Sequence, residues 1–153
     1  LALGRRRPDQ DGIAEERYDF SELHSMLQNC DYVVSALPLT PQTKHFIGQA
    51  AFDAMKPGSV FINVGRGPTV DEAALIDALQ NKLLGAGLDV FEVEPLPSDS
   101  PLWEMDHVLL SPHNMDQTET FMNESTEFFC NIQLQRFVRN LPLYNIVDQS
   151  SGY

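Results

Sequence analysis

Basic residues and cysteines are scarce in this sequence. Ten Lys and Arg stand against 22 Asp and Glu in 153 residues, a formal charge of −12. A chain this acidic is not a general binder of DNA, RNA or anionic membranes, whose phosphates need a cationic surface. No apolar run approaches the ~20 residues of a membrane-spanning helix, and no signal peptide is visible. Cys30 and Cys130 match no zinc or redox spacing. Neither a metal site nor a disulfide is expected, and two free thiols suit a reducing compartment, cytoplasm or organellar matrix. There is one tryptophan, no internal repeat and no low-complexity tract.

The composition is otherwise that of a globular protein, with 42% hydrophobic residues and a length suited to one domain. The few basic residues are unevenly spread. Arg5, Arg6 and Arg7 are consecutive, with no acid before Asp9. The chain opens on Leu-Ala-Leu-Gly, which reads as the end of a strand already under way. A piece of a longer protein is expected.

Residues 5–18 are polar and read as a loop. Phe20, Leu23 and Leu27 predict a short helical face. The apolar runs 31–37, 59–65, 84–91 and 107–111 predict four strands, several ended by proline or glycine. Helices are predicted at 48–55 and 72–80, the second capped by Asp71. From 117 to 139, apolar residues recur at helical spacing, at 121, 122, 128, 129, 132, 137 and 138. Strands alternating with helices predict an α/β fold, a doubly wound parallel sheet.

Ligands of such sheets bind beyond the carboxyl ends of the strands. There the sequence places Pro38 to Thr40, then Arg66 between Gly65 and Gly67, then Glu92 and Glu94, then His113. Arginine is a planar cationic fork suited to a carboxylate. Its flanking glycines let a ligand approach the backbone. Histidine exchanges a proton near neutral pH, and a carboxylate beside it fixes the ring. The set suits an anionic substrate with a group that needs a proton. Each residue also has a plainer reading. Arg66 could hold two loops together, His113 could be structural, and Glu92 and Glu94 could be solvated. Trp103 reads as a loop anchor rather than a substrate platform.

Several motifs occur in order: Leu37-Pro-Leu-Thr40 with Thr43, Met55-Lys-Pro-Gly58, Phe61-Ile-Asn-Val-Gly-Arg-Gly67, Val70-Asp71, Leu88-Asp-Val-Phe-Glu-Val-Glu-Pro-Leu96 and Ser111-Pro-His113. Together they closely resemble the nucleotide-binding domain of the D-isomer-specific 2-hydroxyacid dehydrogenases. The resemblance covers residues 1–113 well and the last helix more loosely. It implies a Rossmann-type dinucleotide-binding fold, N-terminally truncated. Residues 1–116 would be an incomplete NAD(P)-binding domain, and 117–153 a helix and tail that pack on a missing substrate domain.

The resemblance also implies roles. Arg66 would bind the substrate carboxylate and polarise its 2-oxo group. His113 would be the general acid in reduction and the base in oxidation, with Glu94 as its partner in preference to Glu92. Leu37, Pro38, Val64 and Gly65 would line the dinucleotide, with Arg66 and His113 also beside it, and Asp89 would lie near the nicotinamide amide. In this fold the second strand ends at the adenosine ribose, where an acid holds the 2′-OH of NAD and arginine accommodates the 2′-phosphate of NADP. Arg5 and Arg6 fall at that strand end, so NADP is the expected cofactor, with NAD possible. The implied partner is a small 2-oxo or 2-hydroxy acid. No nucleic acid or membrane is expected, and the full-length protein is expected to be a homodimer.

Two departures stand out. No Gly-x-Gly-x-x-Gly phosphate loop is present, and the residues after His113 are Asn114-Met115-Asp116-Gln117 where the family has small ones. On its own the chain is therefore expected to be inactive. A dinucleotide-sensing binding protein, resembling the family's transcriptional corepressors, is the alternative to an oxidoreductase; a nonfunctional truncated product is a third reading.

Overall fold

A computed structural model describes residues 2, 3 and 14–147. These fall into two compact units, Leu1–Pro112 and His113–Tyr153.

The first unit is built on parallel strands. β1 (Ala2–Leu3) pairs with β2 (Arg17–Tyr18). β3 (Tyr32–Ser35), β4 (Val60–Asn63), β5 (Gly85–Leu88) and β6 (Val108–Leu110) form a second sheet in that order, all parallel. Helices α1 (Leu23–Leu27), α2 (Gln49–Ala54) and α3 (Glu72–Asn81) intervene. The alternation of apolar runs and amphipathic stretches thus gives the parallel sheet with crossover helices that it predicts. β2 is a correction, since Arg17–Tyr18 lie in the stretch expected to be loop; the β-forming tyrosine pairs with Leu3.

Register explains the core. Val33, Phe61, Ala86 and Val108 lie in one row across the sheet. Val33, Phe61 and Ala86 are buried in a cluster with Leu23 and Leu27 of α1, Phe52 of α2, and Leu75 and Leu79 of α3. Phe52 meets Phe61 edge to face, with ring centroids 5.4 Å apart. The next row, Val34, Ile62, Gly87 and Leu109, points the other way. Val34 and Leu109 are exposed there. A cavity of about 390 Å³ lies between β1 and β3, lined by Leu3 on one side and Tyr32 to Leu37 on the other.

α3 starts where the sequence places it. The Asp71 carboxylate accepts the Ala74 N–H at 3.1 Å, the bond expected of an N-cap. The helix expected at 20–27 begins instead as a tight turn, Phe20–Glu22, with the Glu22 side chain accepting the Asp19 N–H.

The second unit is mostly one helical segment: α4 (Phe121–Glu127), a π-helical stretch (Phe128–Gln133) and α5 (Leu134–Val138). It starts later than the predicted 117, because the backbone carbonyls of Asn114 and Asp116 accept the Gln117 and Thr118 N–H groups and close local turns there. The tail folds back on this helix. Gln133 exchanges two hydrogen bonds with the Tyr144 backbone, and the Arg136 guanidinium lies 4.0 Å from the Tyr144 ring centroid.

Among the described residues, no helix is long and apolar enough to cross a membrane, and no cluster of His, Cys, Asp and Glu could hold a metal. Cys30 and Cys130 are free thiols.

Candidate active site

Ser35, Asn63, Leu88 and Leu110 close the four main strands in a single row. The ladder continues one residue further, with Val64 N–H donating to Ser35 O, Asp89 N–H to Asn63 O and Ser111 N–H to Leu88 O. The loops after these strands therefore leave from one edge of the sheet.

Arg66 sits in the loop after β4, exposed between two buried glycines. Its backbone is held tightly. Its carbonyl accepts the Thr69 hydroxyl at 2.6 Å and the Thr69 N–H at 3.1 Å. The Asn63 amide donates to the same carbonyl at 3.4 Å, and its oxygen accepts the Gly65 N–H at 3.2 Å. Asn63 is 2% and Thr69 0% exposed, so both are buried struts rather than surface contacts. The guanidinium donates to its neighbour's carbonyl, Gly65 O, at 2.7 Å. Among the described residues no carboxylate forms a salt bridge with it. Thus the Arg66 backbone braces the turn, while its charged fork stays open to an anion.

The two glycines also serve the packing of the chain itself. A Cβ on Gly65 would lie 2.6 Å from Leu37 O, and one on Gly67 would lie 1.7 Å from Phe91 O. They admit neighbouring loops of the same chain, so Arg66 is wedged between the loop after β3 and the loop after β5.

The loop after β3 presents Leu37 and Pro38, both half-buried. Thr43 braces it from inside, donating its hydroxyl to Pro38 O at 2.6 Å and accepting the Thr40 N–H at 2.8 Å. Residues 35–44 contain no acid, which suits a phosphate-bearing ligand. Among the described residues, the buried Ser35 hydroxyl at this strand end has no hydrogen-bond partner. An apolar, acid-free loop beside an unsatisfied buried hydroxyl fits the edge of a dinucleotide site, with half-buried Val64 next to it.

After β5, Asp89 is buried, and Glu94 accepts the Phe91 N–H at 3.0 Å. Glu92 is otherwise engaged. Its carboxylate meets His45 Nε2 at 2.5 Å and accepts the Glu72 N–H at 3.3 Å. His113 opens the second unit, exposed, with a left-handed backbone (φ 53°). Trp103 donates its indole N–H to Pro97 O at 2.8 Å, the loop anchor that the sequence suggests. Arg5 and Arg6 lie outside the described residues.

Arg66, Asp89 and Glu94 thus leave neighbouring strands at one edge. The sequence did not mark Asn63, Thr69, His45 or Glu72 as part of this site. An asparagine closing an apolar strand was the signal available for Asn63; His45 and Glu72 carried none, because their partner Glu92 is distant in sequence.

Residues 1–114 match the sequence model of the D-isomer specific 2-hydroxyacid dehydrogenase NAD binding domain. Glyoxylate/hydroxypyruvate reductase B of Enterobacter sp. (strain 638) is 56% identical over 103 residues, 65% of this chain and 32% of that protein. The protein of that name from Salmonella newport is 50% identical over 116 residues, 74% of this chain and 35% of its own length. The chain therefore spans about a third of these relatives. A D-isomer specific 2-hydroxyacid dehydrogenase from Xanthobacter autotrophicus Py2, solved with NADPH and MES, superposes with a TM-score of 0.85 at 37% identity, covering 99% of this chain and 61% of that one. The NADPH-dependent glyoxylate/hydroxypyruvate reductase of Sinorhizobium meliloti, solved with NADP and sulfate, gives a TM-score of 0.85 at 34% identity, covering 99% and 48%.

Proposed function

The chain belongs to the D-isomer specific 2-hydroxyacid dehydrogenase family through its NAD-binding domain, and on that premise we propose that it works as the nucleotide-binding part of an NADP(H)-dependent 2-oxo acid reductase. The observation that carries this reading is Arg66. Its backbone is locked by Asn63 and Thr69, and its guanidinium is exposed without an acidic partner among the described residues. A permanently charged fork on a rigid turn is a receptor for a carboxylate.

In this reading Arg66 holds the substrate carboxylate and draws electron density from the 2-oxo group. His113 delivers a proton to the carbonyl oxygen, with Glu94 orienting and stabilising its imidazolium. Glu94 suits this role better than Glu92, whose carboxylate is taken up by His45 and α3. Leu37, Pro38, Val64, Gly65 and Asp89 would line the dinucleotide. Bound NADP(H) would supply the hydride exchanged with the substrate's C2. Arg5 and Arg6 would receive the 2′-phosphate, a preference also suggested by the relatives solved with NADPH or NADP. The cavity between β1 and β3 suits a further strand from the full-length protein, and the relatives' greater length supports such a supply. The substrate would be a small 2-oxo acid such as glyoxylate or hydroxypyruvate, by the names of the relatives. A homodimer is part of the same proposal.

The test uses the full-length protein with NADPH and each of these two acids. Arg66→Ala should lower kcat/KM by on the order of 10²–10³, with kcat falling and KM rising together. Unchanged kinetics would refute the assignment. Arg5→Asp combined with Arg6→Ser should raise KM for NADPH far more than for NADH; equal changes would remove the 2′-phosphate contact.

A further inference from the structure

Three segments of the first unit meet at His45, and the reading above gives none of their contacts a role. His45 has a left-handed backbone, φ 50°, and its N–H donates to Pro68 O at 2.9 Å. Ile47 N–H then donates to Thr69 O, and Asp71 N–H to Ile47 O, so residues 45–47 run along the turn that carries Arg66. Across from them, Glu92 and Glu72 lock reciprocally. The Glu92 carboxylate accepts the Glu72 N–H at 3.3 Å, and the Glu72 carboxylate accepts the Glu92 N–H at 3.1 Å. The remaining Glu92 oxygen meets His45 Nε2 at 2.5 Å. The Glu92 carboxylate thus takes up one of the free N–H groups at the start of α3, while its other oxygen is held by the imidazole.

We propose that His45, Glu72 and Glu92 form a positioning clamp that fixes the Phe91–Glu94 loop against the Arg66 turn. The clamp rests on the reading of Arg66 and Glu94 given above and adds residues to that site. Its geometry assigns different consequences to the two loops. The Arg66 turn has its own struts, Asn63 and Thr69, which do not depend on Glu92. Glu94, by contrast, sits two residues beyond Glu92 in an exposed stretch, with the Phe91 N–H bonded to its carboxylate. Loosening the clamp therefore displaces Glu94 while leaving Arg66 in place. Proton delivery should suffer and carboxylate binding should not.

The experiment compares Glu92→Ala with Glu92→Gln, and His45→Ala with His45→Gln, in the full-length protein with NADPH and glyoxylate. Each alanine variant should lower kcat on the order of tenfold, with KM for the acid within about threefold of wild type. The glutamine variants keep a hydrogen-bonding side chain of similar reach, so they should recover most of kcat. A merely structural cluster would lower the melting temperature and leave kcat of the folded enzyme unchanged, and that result overturns the proposal. So does equal loss in the alanine and glutamine variants. Hydrogen exchange at the Phe91 amide gives a readout independent of turnover. It should quicken about tenfold in Glu92→Ala and stay near wild type in Glu92→Gln. Unchanged exchange in Glu92→Ala sinks the clamp even where the Arg66 variant supports the reading of the site. Quickened exchange with an Arg66→Ala enzyme that turns over normally sinks the site reading and leaves the clamp standing as a loop lock.

Discussion

Two regions of the chain carry equally regular apolar patterns and meet opposite fates. In the first unit Phe52 and Phe61 are 0% exposed, enclosed between α2 and the sheet. In the second unit Phe129 and Phe137 are 65% and 67% exposed, although they too recur at helical spacing. Periodicity states which face of an element is apolar. Burial requires a second surface to receive that face. The first unit contains its own receiving surface, because β3, β4 and β5 offer Val33, Phe61 and Ala86 in one row to three helices. The second unit has one helical segment and a tail, and the tail's contacts are polar or cationic: Gln133 to Tyr144, Arg136 to Tyr144.

The contrast can be tested at its strongest point first. Phe61→Ala removes a fully buried ring that also packs against Phe52, so it should destabilise the chain by about 3–5 kcal/mol. Chemical denaturation followed by circular dichroism would read this as a lower midpoint with little change in slope. A loss below about 1 kcal/mol would mean that the core relaxes around the gap and that the first unit is less closely packed than its register indicates.

The same contrast explains what the sequence made legible. The four main strands and the Asp71 cap follow from local chemistry: apolar runs ended by Pro or Gly, and a short carboxylate before an amphipathic stretch. That the loops carrying Arg66 and Glu94 leave one edge of the sheet also follows, because parallel strands put their carboxyl ends together. The packing purpose of the glycines beside Arg66 is not legible in the sequence. Their neighbours are Leu37 and Phe91, which lie far from them in sequence, so no local pattern could reveal the contact. His45 escaped notice for the same reason: its partner Glu92 is 47 residues away. The π-helical stretch at 128–133 left no trace in the spacing of apolar residues.

The second unit supplies the smaller effect and the sharper test of the comparison. We expect residues 117–139 to serve as a docking helix for the substrate-binding part of the full-length protein. Phe129→Ser with Phe137→Ser should then change the stability of the 153-residue chain by no more than about 0.5 kcal/mol per site, as exposed substitutions usually do. The same pair of changes should reduce self-association of the isolated chain, since exposed apolar faces drive it. In the full-length protein the cost should rise to several times that of the isolated chain, since a docked partner surface would bury the rings. Equal, small costs in both settings would show that nothing covers this helix. A large cost already present in the isolated chain would show that these rings are packed within it, which would erase the distinction between the two units.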